Sequence, residues 1–188
     1  FPYTTLFRSN DWQGFAENLR DVVKLSREEA QIRAAAKGGS RYDALLDIFE
    51  PDMTSARLDV LFADLKSWLP SLLEKVVEKQ AQTPLIEPQG PFPIADQREL
   101  GLEAMRVLGF DFDGGRLDIS AHPFCGGVPQ DVRITTRYNE NDLLSALFGV
   151  IHETGHARYE QNLPRNWLDQ PIALARSTAI HESQSLFF

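Results

Sequence analysis

The residues with the clearest chemistry are His152-Glu153-Thr154-Gly155-His156. Two histidines four apart stand one turn apart on one face of a helix, so both imidazoles can reach a single ion. Glu153 lies about 100° round the helix from His152 and can flank that ion without binding it. Zinc lowers the pKa of a bound water to about 7, and a flanking carboxylate can take its proton and later pass it to a leaving amine. Two histidines do not complete a four-coordinate site with one open position, so a third protein ligand is required. Glu182, in His181-Glu182-Ser183-Gln184, is the candidate. A second helix returning antiparallel to the first would bring it to the same depth. Glu160 is the rival, but it continues down the same helix as His156 and suits an outer or solvated role better. The bland alternative is a surface helix carrying two solvated histidines. Against it stand Glu182 and two glycines, Gly149 and Gly155, which weaken the helix unless something packs closely on its backbone.

The elements that must place these residues are mostly helical. Phe15, Leu19, Val22 and Val23 mark a helix from Asp11 to about Ala36, closed by Gly38-Gly39. Tyr42 to Phe49 predicts a short helix ending before Pro51. Thr54 caps a helix carrying Leu58, Leu61, Phe62 and Leu65, and a further helix is expected from Pro70 to Gln80. Residues 81–95 hold Pro84, Pro88, Pro91 and Pro93 and form a connector. Asp96 with Glu99 resembles a capping box, for a helix ending at Gly109. Leu117–Ser120 and the alternating run from Val132 to Tyr138 are strand candidates, with His122–Gly127 as a loop between them. The HETGH helix starts near Asn139 or Asn141 and stops at Pro164, and a last helix runs from Pro171 onward. The fold class is mainly α, with a small antiparallel β element beside the HETGH helix.

Four ordered motifs then resemble a known family. HPF at His122–Phe124, DVRIT at Asp131–Thr135, HETGH at His152–His156 and HESQ at His181–Gln184 are similar to motifs of the carboxypeptidase Taq family. The Tyr42–Asp47 segment extends the likeness upstream. The resemblance implies a helical, gluzincin-like metallopeptidase that removes C-terminal residues from peptides. It implies that His152, His156 and Glu182 bind Zn2+ or Co2+ and that Glu153 is the general base. It also implies that the segments containing Phe124, Asp131, Arg133 and Thr135 line the substrate cleft. From chemistry alone, His122 either donates to the scissile carbonyl oxygen or is a loop histidine satisfied by backbone. Asp131 and Arg133 share a strand face and either pair with each other or contact peptide, and that strand's main chain could pair with an extended substrate. An aminopeptidase or oligopeptidase with the same metal core is the nearest alternative. A non-catalytic helical module is the more distant one.

The family has two further motifs after HESQ, one an arginine segment that holds the substrate's terminal carboxylate, and the sequence stops before them. The expectation is therefore a fragment, inactive alone. Residues 1–9 read as a non-native, adapter-derived segment and 10–188 as a partial catalytic domain. That domain would comprise a helical part (10–80), a connector (81–95) and an active-site part (96–188). Composition narrows the partners. The 188 residues carry 19 Lys and Arg against 27 Asp and Glu, a net charge of −8. That disfavours nucleic acid and anionic membrane surfaces. No apolar run is long enough to span a membrane. With Cys125 as the single cysteine, no intrachain disulfide forms, and Cys125 reads as a small buried residue. Cytoplasmic placement is expected, and the resemblance implies a homodimer for the full-length protein.

Overall fold

A computed structural model of the chain describes residues 9–188. The segment read as non-native, 1–9, lies outside the described residues except for Ser9. The chain divides into two compact units, the first ending at Val76 and the second running from Val77 to Phe188.

The first unit is helical. Helix α1 (Trp12–Lys37) is capped by Asp11, whose side chain accepts from the Gly14 N–H at 3.0 Å. Helix α2 (Arg41–Phe49) is capped by Ser40, which accepts from the Asp43 N–H. Asp43 in turn accepts from both the N–H and the hydroxyl of Ser55, at 2.7 and 2.6 Å, fixing the start of the next helix. Those bonds hold the Asp43 carboxyl below its ordinary pKa. Helix α3 (Ser55–Gln80) is where expectation and structure part. The two predicted helices are one, and Pro70 lies inside it. A proline costs an interior helix one hydrogen bond and a clash, but both flanks here are strong helix formers and the helix runs through.

The second unit positions the motif. Helix α4 (Ile94–Val107) starts directly after Pro93, with Asp96 in its first turn, so the expected capping box does not form. It ends as predicted at Gly109, whose φ of 78° suits glycine, and the Phe110 N–H closes the turn on the Met105 carbonyl at 2.9 Å. Strands β1 (Gly115–Ile119), β2 (Phe124–Val128) and β3 (Asp131–Thr136) follow. Their order is β1-β3-β2. β3 is antiparallel to β2 (Phe124↔Thr135) but parallel to β1 (Gly115↔Val132), so the sheet is mixed, not antiparallel. The reason is the added strand. The segment expected as a loop forms β2, which makes a tight hairpin with β3, and β3 then inserts between β2 and β1 with the direction of β1.

One face of the sheet carries Leu117, Val132 and Ile134 into a core with Met105, Phe110, Val150 and Ala157. Ile134 and Met105 have no exposed surface. Helix α5 (Leu143–Gln161), which bears HETGH, lies against this core. Its cap is Asp142, accepting from the Ser145 N–H at 3.0 Å. Asn139, one of the expected caps, instead accepts from the Asn141 N–H in the turn before it. After two 3₁₀ turns, at Arg165–Trp167 and Pro171–Ala173, helix α6 (Thr178–Phe187) begins at a Ser177 cap. Among the described residues, no helix is long and apolar enough to cross a membrane.

Candidate metal centre

Helices α5 and α6 pair along one line. Glu160 meets His181, His156 meets Glu182, and Gly155 meets Ser185, so the two helices run antiparallel as the third-ligand argument requires. Gly155 permits the approach. A Cβ there would stand 2.4 Å from the Gln184 carbonyl oxygen and 2.5 Å from the Ser185 Cα. Gly149 has no such neighbour, its nearest being Thr136 Oγ1 at 3.7 Å, so close packing explains one of the two motif glycines and not the other.

The approach brings three donors together. The Glu182 Oε2 lies 3.5 Å from His156 Nε2 and 3.9 Å from His152 Nε2. One donor atom from each of the three residues falls within 4.8 Å of the others. Donors about 2.0–2.1 Å from a tetrahedral ion are about 3.3 Å from one another, so a small inward movement seats the set on one ion. Two neutral nitrogens and a carboxylate are a donor set for zinc or a similar borderline cation. Glu182 is itself held by Ser185, whose hydroxyl lies 3.1 Å from Oε2 and 2.8 Å from the Glu182 carbonyl oxygen. Glu160 does not join the donors. Its Oε1 is 2.8 Å from His181 Nε2, and His181 Nδ1 is 2.6 Å from His156 Nδ1.

Glu153 is buried on the sheet side of the motif. Burial raises its carboxyl pKa first and the Glu182 charge adds to this, while His152, His122 and the backbone N–H of Cys125 oppose it. Burial lowers the pKa of His156, with Glu182 opposing and the neighbouring histidines adding. Both shifts favour the uncharged form, strengthening Glu153 as a base once it is ionised and helping His156 to serve as a neutral ligand.

These side chains open on a cleft of about 680 Å³, lined also by His122, Phe124 and Cys125. The remaining sequence-derived residues stand elsewhere. Asp131 and Arg133 bond to each other, Arg133 Nη2 being 2.7 Å from Asp131 Oδ2, and neither lines the cleft. Thr135 is spent on structure. Its hydroxyl accepts from the Phe124 N–H at 3.0 Å and lies 3.4 Å from the His122 carbonyl oxygen, which fixes the HPF turn. β3 also has no free edge to offer a peptide, since β1 and β2 take both sides. Of the two outer strands, β2 is the one on the cleft, which Phe124, Cys125, Gly126 and Gly127 line. The sequence hid this strand, because two glycines break the alternation that marks strands. His181, in HESQ, stands in the first turn of α6, and nothing in its spacing from the other motif residues signals a role.

The structure of Trypanosoma cruzi metallocarboxypeptidase 1 is similar over 98% of this chain, with 51% identity and a TM-score of 0.82. The thermostable carboxypeptidase 1 of Thermus thermophilus is 42% identical over 186 residues, and carboxypeptidase 1 of Bacillus subtilis 47% over 148. Those alignments cover 94% and 78% of this chain but 36% and 30% of the relatives, and the Trypanosoma match covers 38% of that chain. The chain thus spans about a third of the length of the relatives it matches. The profile of one family covers residues 7–188, and with it HPF, DVRIT, HETGH and HESQ in order. By that match the chain belongs to the carboxypeptidase Taq (M32) metallopeptidase family.

Proposed function

We propose that this chain carries the metal centre and one wall of the substrate cleft of a metallocarboxypeptidase. The observation that supports it most directly is the convergence of His152, His156 and Glu182 beside a buried Glu153. His152, His156 and Glu182 would hold the ion, Zn2+ or Co2+. A cation there supplies Lewis acidity toward a carbonyl and toward water. Glu153 takes a proton from the attacking water and returns it to the leaving amine. Its raised pKa moves it toward the operating pH, where a base is both free and strong enough. His122, which also lines the cleft, donates to the carbonyl oxygen as charge builds there. The outer edge of β2 offers its remaining main-chain groups to an extended peptide, with Phe124 as an apolar wall. The group that reads a substrate's terminal carboxylate belongs, in this reading, to the two thirds of the relatives' length that the chain does not span, so the chain alone is inactive.

The test uses a full-length protein carrying this sequence and a peptide blocked at its N-terminus. Release of the last residue with the block intact is expected, and an aminopeptidase would leave the peptide whole. Glu153→Gln should keep the metal and lose turnover. Glu182→Gln should lose the metal. Turnover by Glu153→Gln, or full metal content in Glu182→Gln, refutes the assignment.

A further inference from the structure

We infer that His181 and Glu160 form a hydrogen-bonded tether that fixes both the ring orientation and the tautomer of His156, presenting its Nε2 to the metal. The inference rests on the reading of His156 as a ligand and adds two positioning residues to it.

The argument follows the protons along three side chains. An ionised Glu160 carboxylate only accepts hydrogen bonds. At 2.8 Å from Glu160 Oε1, His181 Nε2 is therefore the donor and carries a hydrogen. A neutral imidazole has one N–H, so in neutral His181 Nδ1 carries none and is an acceptor. It lies 2.6 Å from His156 Nδ1, which must then be the donor. His156 in turn has a single N–H, now assigned to Nδ1, and its Nε2 is left with a free lone pair. That is the atom 3.5 Å from Glu182 Oε2, on the side where the three donors converge. With both rings neutral, the opposite tautomer would place two N–H groups or two lone pairs face to face somewhere in the row.

Packing supports the same end. The His156 and His181 rings have centroids 4.7 Å apart, and Tyr159 sets its ring edge-on to His181 at 4.9 Å. His181 is thus held on two sides, and it comes from α6, the helix that also brings Glu182. The tether ties α5 to α6 at the level of the second histidine, so that the ring and the third donor are positioned by the same contact. Groups that donate or accept behind a metal-binding histidine commonly change metal affinity 10- to 100-fold when removed.

The experiment has two arms. The metal-free chain, labelled with ¹⁵N, is examined at neutral pH by long-range ¹⁵N–¹H correlation. A hydrogen on His156 Nδ1 with Nε2 bare is expected, and an Nε2–H form in excess overturns the tether without any substitution being made. Zinc affinity is then measured by competition with a chromophoric chelator. His181→Phe keeps the ring and removes both bonds, and should weaken zinc binding roughly 10- to 100-fold. His181→Asn places an amide oxygen near the former Nδ1 and should recover most of that loss. Unchanged affinity in His181→Phe, with binding lost in His156→Ala, refutes the tether and leaves the ligand assignment standing. Unchanged affinity in His156→Ala refutes both. Should His181→Phe fail to fold, the tautomer measurement decides.

Discussion

Adding one methyl group at Gly155 should damage the metal centre more than the fold. In Gly155→Ala the new Cβ would meet the Gln184 oxygen at 2.4 Å, the Ser185 Cα at 2.5 Å and the Gln184 carbonyl carbon at 2.8 Å. All three are backbone atoms, so no flexible side chain can swing away. Ordinary carbon contacts lie near 3.5 Å, and α5 and α6 must part by about 1 Å. Overpacking of this kind costs about 1–3 kcal/mol. Replacing glycine by alanine within a helix returns about 1 kcal/mol, leaving a net loss of up to about 2 kcal/mol. The metal site is less forgiving, since ligand distances tolerate about 0.2 Å. Glu182 rides on α6 immediately before the clash, so a displacement several times that tolerance removes it from the donor set. A weakening of zinc binding by more than 10-fold is expected, equivalent to about 1.4 kcal/mol. Gly149→Ala on the same helix is the control. Its Cβ would meet Thr136 Oγ1 at 3.7 Å and Pro123 Cγ at 3.9 Å, ordinary contacts, and it should stabilise by up to about 1 kcal/mol with zinc affinity unchanged. Thermal denaturation and chelator competition read the two quantities separately. Zinc binding by Gly155→Ala equal to that of the unsubstituted chain would refute the view that this contact places Glu182.

Two further outcomes follow from the half-buried Cys125 and the buried Glu153 near the cleft. Burial, with the Glu153 and Glu160 charges, pushes the Cys125 thiol up to about 12, so at mildly alkaline pH its thiolate fraction is about a thousandfold below that of a free thiol. Iodoacetamide should alkylate the folded chain far more slowly than the chain in guanidinium, and equal rates would contradict the burial. Glu153 has a raised pKa, so its contribution to stability is full below its ordinary value of 4.5 and falls as pH rises through the folded value. With chelator present, Glu153→Gln should therefore raise the melting temperature at neutral pH and leave it little changed below pH 4.5; an equal rise at both would exclude the carboxylate charge as the cause.

How far the sequence carried depended on whether the information was local. The spacing of His152 and His156 is a property of one helix turn and needs no tertiary structure to interpret. Glu182 was reachable because an antiparallel helix pair is a simple geometry for a connector of that length. The ends of α1, α2 and α4 followed from Gly38, Pro51 and Gly109, each of which acts on its own backbone. β2 was not legible. Phe-Cys-Gly-Gly-Val has no alternation of its own and becomes a strand only because β3 offers it a partner. The sheet's mixed sense was lost with it. Pro70 misled for the opposite reason, as a strong local signal overridden by the helix formers around it. Asp131, Arg133 and Thr135 belong to one motif and alternation puts all three on one strand face, yet their partners differ. Two pair on the surface, while the buried third holds the turn that carries His122. The role argued for His181 needed coordinates, because it depends on which ring nitrogen faces which.

The donors of the candidate centre sit on two helices joined by residues 162–177, which hold only two short 3₁₀ turns. An ion shared by His156 and Glu182 would therefore act on the chain as a cross-link closing a loop of about 26 residues. By the chain-entropy relation, ordering a loop of that length costs about 3.5 kcal/mol, a cost that binding of the ion to the folded chain would help offset, on the scale of a disulfide in a chain that has none. The connecting segment can then vary widely in sequence without loosening the site, because the ion and not the loop sets how far apart its two ends may drift. A chelator would act on this protein as a reductant acts on a secreted one.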